Sequence, residues 1–441
     1  TIMGKFIKKI VIIIFIFGLG FIVSSLFNKS NNIYVEEEQK QIKKHTDTIA
    51  MMLETKASSG NYEMTTRESW PAEGYIFNNK LSKCENGGEV YWDNENKKVF
   101  MSSNSSDKCY VYFDVIPTIA DFCSSGNNLS SCLITLANNG GPNKTNIYYH
   151  DTNLVNGAED NSYRYAGANN DVNNYVCFGS DDKNCPYDNL YRIIGVFNNQ
   201  VKLIKADFVG PNLLGTDGDY KETIDGKFST YYEGKNSKQY LYYLNYRYLN
   251  STNDTYYLNN TWSNSFLNTI NLNSNYINNI GTKWADKIAE TTWKVGGNVI
   301  EKLQQVPIKE TYYNEIINPF TTGTSDNKTT YDAKIGLMYL SDYGYAALPN
   351  SWIKTLYPTE GYGCYRYNND DWLKLGQNEA TITRCTTSKE SDGCMVLHGD
   401  SGYTSGVYVY NGYSIRPVFY LNTSITYISG DGTSQNPIRL S

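Results

Sequence analysis

The run from Ile10 to Phe27 constrains this chain more than any other segment. It carries no charge, and only Gly18, Gly20, Ser24 and Ser25 interrupt its apolar side chains. At the helical rise about 18 residues extend roughly 27 Å, close to the thickness of a bilayer's hydrocarbon layer. Lys5, Lys8 and Lys9 precede the run, and Glu36, Glu37 and Glu38 follow it. Positive charge on the leading side predicts a cytoplasmic N-terminus, with everything after Phe27 outside. The expectation is therefore a transmembrane signal anchor over residues 1–27, the membrane as a partner, and a single-pass cell-membrane protein with an extracellular C-terminal bulk. A cleaved signal peptide ending near Val23-Ser24-Ser25 is the alternative. The length of the run and the lack of Ala at that site favour the anchor.

Nine cysteines fit an oxidising exterior. Cys84 and Cys109 flank what reads as two strands, Cys123 and Cys132 bracket a polar turn, and Cys177 and Cys185 bracket Gly179–Asn184. Each pair closes a short loop, which favours bridging over thiols. Cys364, Cys385 and Cys394 remain, enough for one further bridge and one odd thiol. No C-x-x-C or paired C/H spacing is present, so zinc is not expected. Three His residues leave little material for acid–base catalysis, and a net charge of −6 opposes nucleic acid as a partner. No cofactor, metal or catalytic residue is expected, and the chain reads as a non-enzyme.

At 441 residues the chain exceeds what one core sustains, about 250–300 residues. Residues 28–57 read as a helical stalk, because Ile42, Ile49, Met52 and Leu53 recur near helical spacing between Tyr34 and Leu53. A small β module stapled by Cys84 and Cys109 is expected over 58–115, from the runs Val90–Trp92, Val99–Met101 and Cys109–Phe113 and a turn at Asp93–Asn96. Residues 116–145 read as a connector and 146–441 as one large α+β domain. Within it, Leu190–Phe197 and Val201–Ile204 form a hairpin across Asn198-Asn199. Trp262–Ile280 reads as a helix, with Ser263 or Ser265 as N-cap and Phe266, Ile270, Tyr276, Ile277 and Ile280 available to a buried face. Helical spacing continues over Trp284–Trp293. Lys334–Leu340 reads as a strand followed by a turn at Ser341–Gly344. Gly406–Tyr410 and Tyr413–Leu421 read as a hairpin around Asn411-Gly412.

Four of these segments, in order, resemble an uncharacterised family of cell-surface proteins from low-GC Gram-positive bacteria. They are Leu190–Val196 with Val201–Ile204, Thr261–Leu267, Ile335–Ser341 and Ser414–Leu421, spanning roughly 186–422. The second segment lacks the Arg of the family's helix start. The resemblance implies a C-type-lectin-like fold for the C-terminal domain, which by itself fixes no function.

Two stretches imitate chemistry. Gly399-Asp400-Ser401-Gly402, beside His398, matches a protease nucleophile loop, but only His45 and His150 precede it to serve as base, and Tyr403 replaces a Gly. Cys394 and His398 could form a thiol–imidazole dyad, although an oxidising compartment favours a bridged Cys394. Asp181-Asp182, Asp217 with Asp219, and Asn368–Asp371 offer oxygen ligands, yet none has calcium-loop spacing, and solvated loops are the ordinary reading. The stronger lead is aromatic. Tyr362, Tyr365, Tyr367 and Trp372, then Tyr403, Tyr408, Tyr410, Asn411 and Tyr413, cluster with Asn, Asp, Ser and Gly. That composition gives large, rigid contact area at low entropic cost, so these nine residues are the expected ligand-binding positions. The expected function is a membrane-anchored extracellular binding or display protein, adhesin-like, for a glycan or protein ligand. The alternative is a structural cell-surface or pilin-like subunit without small-ligand binding.

Overall fold

The computed structural model describes residues 48–65, 74–94, 96–102, 106–216, 231–233, 240–243, 247–248, 256–257, 261–319, 329–358, 371–385, 392–399, 401–408 and 412–441. Strands dominate and the helices are short. Two compact units divide the chain, Thr1–Val115 and Ile116–Ser441.

In the first unit the central strand is Lys108–Val115. It pairs in parallel with Thr48–Glu54 and antiparallel with Tyr75–Phe77 and Lys83–Cys84, and Tyr62–Thr65 closes the outer edge of Thr48–Glu54. Its period-2 pattern buries Cys109, Val111 and Phe113, which join Met51, Leu53 and Val90 in a small core. Glu89–Asp93 and Lys98–Ser102 form a hairpin, and a disulfide joins Cys84 to Cys109.

The helical stalk is thereby corrected. Its last apolar positions lie in the strand Thr48–Glu54, where pairing with two neighbours satisfies the backbone on both sides and Met51 and Leu53 share the inward face. The apolar spacing that suited a helix suited an alternating strand equally, and tertiary pairing decided between them. The anchor and the single-pass membrane location are corrected as well. Among the described residues no helix is long and apolar enough to cross a membrane, and Ile10–Phe27 lies outside those residues.

The second unit is built on a seven-stranded antiparallel sheet. Its order is Ile335–Gly336, Val418–Tyr420, Gln200–Lys205, Leu190–Phe197, Tyr163–Tyr165 and Ile147–Tyr149, with Tyr175–Cys177 also pairing on Leu190–Phe197. Asn198 and Asn199 both take positive φ, 49° and 63°, the conformation that a two-residue hairpin turn demands. A second sheet runs Gly297–Asn298, Glu379–Cys385, Asp392–Leu397 and Thr404–Tyr408.

Several expected elements take another form. The connector is structured: Leu129–Gly140 is a helix that buries Leu129, Cys132, Leu133, Leu136 and Ala137 in the main core, with Asn128 accepting from Ser131 N at its start. Between Trp262 and Ile280 the chain makes a short 3₁₀ turn, then a wide-turned helix, Leu267–Tyr276. Its buried face holds Leu267, Asn268, Asn271, Leu272 and Tyr276 rather than an aliphatic stripe. The asparagines are tolerated there because their amides are used: Asn268 donates to Trp262 O and Asn271 to Leu214 O, while the half-buried Asn273 and Asn275 donate to Ile335 O and Leu214 O. Trp293 lies on the strand Thr291–Lys294, and the expected turn at Ser341–Gly344 is the helix Leu340–Tyr345. Gly412–Tyr413 pairs with Tyr240–Tyr243, and Thr404–Tyr408 with Asp392–Leu397, and among the described residues those two segments do not pair with each other.

Candidate functional site

Of the nine expected ligand-binding residues, Tyr362, Tyr365, Tyr367, Tyr410 and Asn411 lie outside the described residues. Tyr408 is described only as part of its strand. Trp372 is a core residue, 1% exposed, with its indole N–H donated to Tyr165 O at 3.1 Å. The Arg192 guanidinium lies 4.7 Å from the same ring. Tyr413 is buried. Both are therefore corrected to structural roles, because a ligand cannot stack on a ring that the core already covers. Tyr403 is half-buried against the His398 ring, 4.7 Å away.

Of the two histidines that precede the protease-like loop, one is described, His150. His398 Nε2 lies 2.6 Å from Ser405 Oγ, and His45 and Asp400 are outside the described residues. His150 is fully buried between Tyr345 and Trp352, and its Nδ1 accepts from Ala158 N at 3.0 Å. Burial, aided by the charge of Arg164, holds the His150 pKa well below 6.5. Above about pH 6.5 the ring is neutral folded or unfolded, and its native contacts count in full. Below that pH the unfolded chain takes a proton that the native state refuses, so stability falls by up to about 1.4 kcal/mol per pH unit. His150→Phe is expected to flatten this part of the stability profile between pH 6.5 and 5, as read from urea unfolding across that range.

Among the described residues one group of three metal-type ligands converges, Cys84, Asp107 and Cys109. Its two sulfurs are bonded to each other, which leaves no thiolate for a metal. Disulfides also join Cys123 to Cys132 and Cys177 to Cys185. Cys385 is buried. Cys364 lies outside the described residues, and Cys394 is described only as part of its strand.

The site the sheet does build was not anticipated. A cavity of about 380 Å³ opens in the second unit, within the range of small-ligand pockets. The strand Gln200–Lys205 supplies Gln200 and Lys202, two positions apart and so on one face. Lys202 pairs across the sheet with Tyr420, which also lines the cavity. Phe197, Trp293, Tyr312 and Tyr339 complete five aromatic walls. Trp293 packs flat on Gly336, where a Cβ would come within 2.7 Å of the indole.

Two ion pairs stand among these rings. Lys202 Nζ meets Asp342 Oδ2 at 2.5 Å with both side chains buried, and Arg164 meets Asp160 at 2.5 Å. Burial would raise the Asp160 pKa, but the Arg164 charge and the Ser162 and Tyr312 hydrogen bonds outweigh it and hold the pKa at about 2. Burial lowers the pKa of Lys202, and Asp342 opposes that shift. Asp342 is fixed as N3 of the short helix Leu340–Tyr345, where it accepts from Tyr339 N at 2.9 Å. Glu315 supports the same helix start, accepting from Leu340 N at 2.9 Å, from Ser341 N at 3.1 Å and from the Thr383 hydroxyl. The Tyr339 hydroxyl accepts from Lys294 N at 2.7 Å. The Tyr420 hydroxyl, by contrast, has no hydrogen-bond partner among the described residues.

Three cationic side chains (Arg164, Lys202, Lys294) and three carboxylates (Asp160, Glu290, Asp342) line the cavity, so its formal charges cancel. The aromatic box already holds a cation of its own, since Lys202 Nζ is 4.7 Å from the Tyr339 ring and 5.4 Å from those of Phe197 and Tyr420. The two ion pairs engage Asp160, Arg164, Lys202 and Asp342, and the remaining Glu290 and Lys294 are of opposite sign, so the lining as a whole favours neither an anion nor a cation. Flat apolar faces can stack on the walls while hydroxyls reach the polar rim.

A sequence signal for these residues existed: Lys202 and Arg164 interrupt the apolar and aromatic runs Val201–Ile204 and Tyr163–Tyr165. A charge at an inward position of a buried strand requires a partner, and the partners define the site.

Comparison with family models, curated proteins and solved structures gave no match to this chain.

Proposed function

We propose that the second unit is a ligand-binding, adhesin-like domain that takes a neutral polyhydroxylated ligand, a glycan, in the cavity between Arg164, Lys202, Trp293, Tyr312, Asp342 and Tyr420. The observation that carries this reading is the pairing of five aromatic walls with a polar lining whose charges cancel. Sugars present apolar ring faces alternating with hydroxyls, which is the complement of such a surface. The two ion pairs are already satisfied, so they serve as fixed donors and acceptors without requiring a counter-charge from the ligand.

The test is a glycan array with the intact chain, followed by titration of Trp fluorescence with each neutral oligosaccharide that binds. Tyr420→Phe removes only a hydroxyl and is expected to weaken binding by about 0.5–1.5 kcal/mol, a few-fold to tenfold in Kd, with folding intact. Gln200→Ala at the rim is expected to act in the same direction. Preference for acidic over neutral glycans, or binding indifferent to both substitutions, would overturn the assignment.

A further inference from the structure

A second cavity, of about 430 Å³, shares no lining residue with the first. Lys205, Asp188, Tyr191, Phe208, Leu213 and Ile280 are among the residues around it. One wall is the short helix Pro211–Leu214, held from behind by side-chain amides: Asn271 and Asn275 donate to Leu214 O and Asn279 to Leu213 O. These bonds give the cavity a fixed shape.

Lys205 is the unusual member. It lies at the end of the strand Gln200–Lys205 and is 3% exposed. Among the described residues its amine has one hydrogen-bond contact, at 3.5 Å to Leu190 O, the outer limit for such a bond. Among the described residues no carboxylate lies within ion-pair distance of it, whereas Lys202 on the same strand has Asp342 at 2.5 Å. The Tyr191 ring lies 5.2 Å from Nζ, and the Tyr191 hydroxyl is engaged with Tyr276 at 2.5 Å. The acidic groups that act on Lys205 are Asp188 and Asp207, and Asp207 is occupied by the Tyr187 hydroxyl at 2.9 Å and by Phe208 N.

A lysine sequestered without a counter-ion does not hold its proton as a surface lysine does. Burial lowers its pKa to about 8, with Asp188 and Asp207 opposing the shift only in part. A substantial neutral fraction is then present near pH 8, and a neutral amine is a nucleophile.

We propose that Lys205 is a carbonyl-capturing amine whose cavity admits a small aldehyde and holds it as an imine. The Nζ lone pair attacks the carbonyl carbon and forms the C–N bond, while the C=O π electrons move to oxygen. The oxygen then leaves as water with the two amine protons, giving C=N with no change of oxidation state. A small aldehyde meets the geometry, because it needs no counter-charge and its carbon chain can lie against Phe208, Leu213 and Ile280.

The test uses the intact chain, propanal as the probe and cyanoborohydride to fix any imine, followed by peptide mapping over short times from pH 6.5 to 10. Lys205 is expected to be alkylated before the exposed Lys283 and Lys309 at pH 8, with a rate that reaches half its plateau near pH 8. Lys205→Met, checked for native Trp fluorescence, is expected to lose that early adduct and to retain the slow ones. Slower labelling of Lys205 than of Lys283 and Lys309, or a half-plateau above pH 10, would overturn the proposal. Because the wild-type chain alone decides the order of labelling, a variant that fails to fold does not leave the question open.

Discussion

Arg416→Met is expected to destabilise the second unit by about 3–5 kcal/mol, because it strands Glu379 as a buried carboxylate without its counter-ion. In the native unit Arg416 Nε meets Glu379 Oε1 at 2.8 Å and Nη2 meets Oε2 at 2.7 Å, a bidentate pair, while Nη2 also donates to Leu373 O at 2.6 Å. Both side chains are essentially excluded from solvent. The pair ties the strand Glu379–Cys385 to the segment that leads into Val418–Tyr420, and so joins the two sheets. Arg416→Lys keeps the charge but loses the planar fork, and is expected to recover only part of the stability. The double substitution Arg416→Met, Glu379→Met is expected to be closer to wild type than either single change, since no charge is then left unpaired. Urea unfolding followed by Trp fluorescence checks this order. A loss below about 1 kcal/mol for Arg416→Met would show that the pair contributes no such coupling.

What could be read in the sequence was what local rules determine. The Leu190–Phe197 strand and its return were visible because apolar runs flank Asn198-Asn199, and that turn needs only two residues of positive φ. The cysteine pairs were visible because short loops bring their ends together. Elements whose form depends on distant partners were not. Thr48–Glu54 became a strand because Lys108–Val115, sixty residues away, offered it a parallel edge. Leu267–Tyr276 buries Asn268 and Asn271 because Trp262 and Leu214 present carbonyls to them, which no hydrophobic pattern registers.

The cavity beside Lys202 shows the same limit more sharply. Its lining runs from Asp160 to Tyr420, and only the sheet order brings Tyr163–Tyr165, Gln200–Lys205 and Val418–Tyr420 into one surface. Composition pointed instead to tyrosines near Asn and Gly. Of the aromatic residues in those stretches, Trp372 and Tyr413 are core. Arg192 and Arg416 hold buried positions for which the sequence offered one clue, their apolar neighbours.

Loss of the Cys84–Cys109 disulfide is expected to unfold the first unit while leaving the second native. The buried apolar core of the first unit consists of Met51, Leu53, Val90, Cys109, Val111 and Phe113, and one of those six is itself half of the bridge. So small a core supplies only a few kcal/mol beyond the entropy of ordering its chain. Closing a loop between residues 25 apart in sequence restricts the unfolded state by about 3–4 kcal/mol, comparable with the whole margin. The second unit has, among the described residues, bridges over 9 and 8 residues and a core that spans its sheets, so losing these bridges removes less from a larger reserve. Limited proteolysis of the intact chain separates these outcomes. With Cys84→Ala and Cys109→Ala together, or under mild reduction, cleavage is expected first within residues 48–115, releasing a resistant fragment from about residue 116 onward. Equal protection of both units after the bridge is removed would mean that the parallel pairing of Thr48–Glu54 with Lys108–Val115 holds the small sheet without its covalent staple.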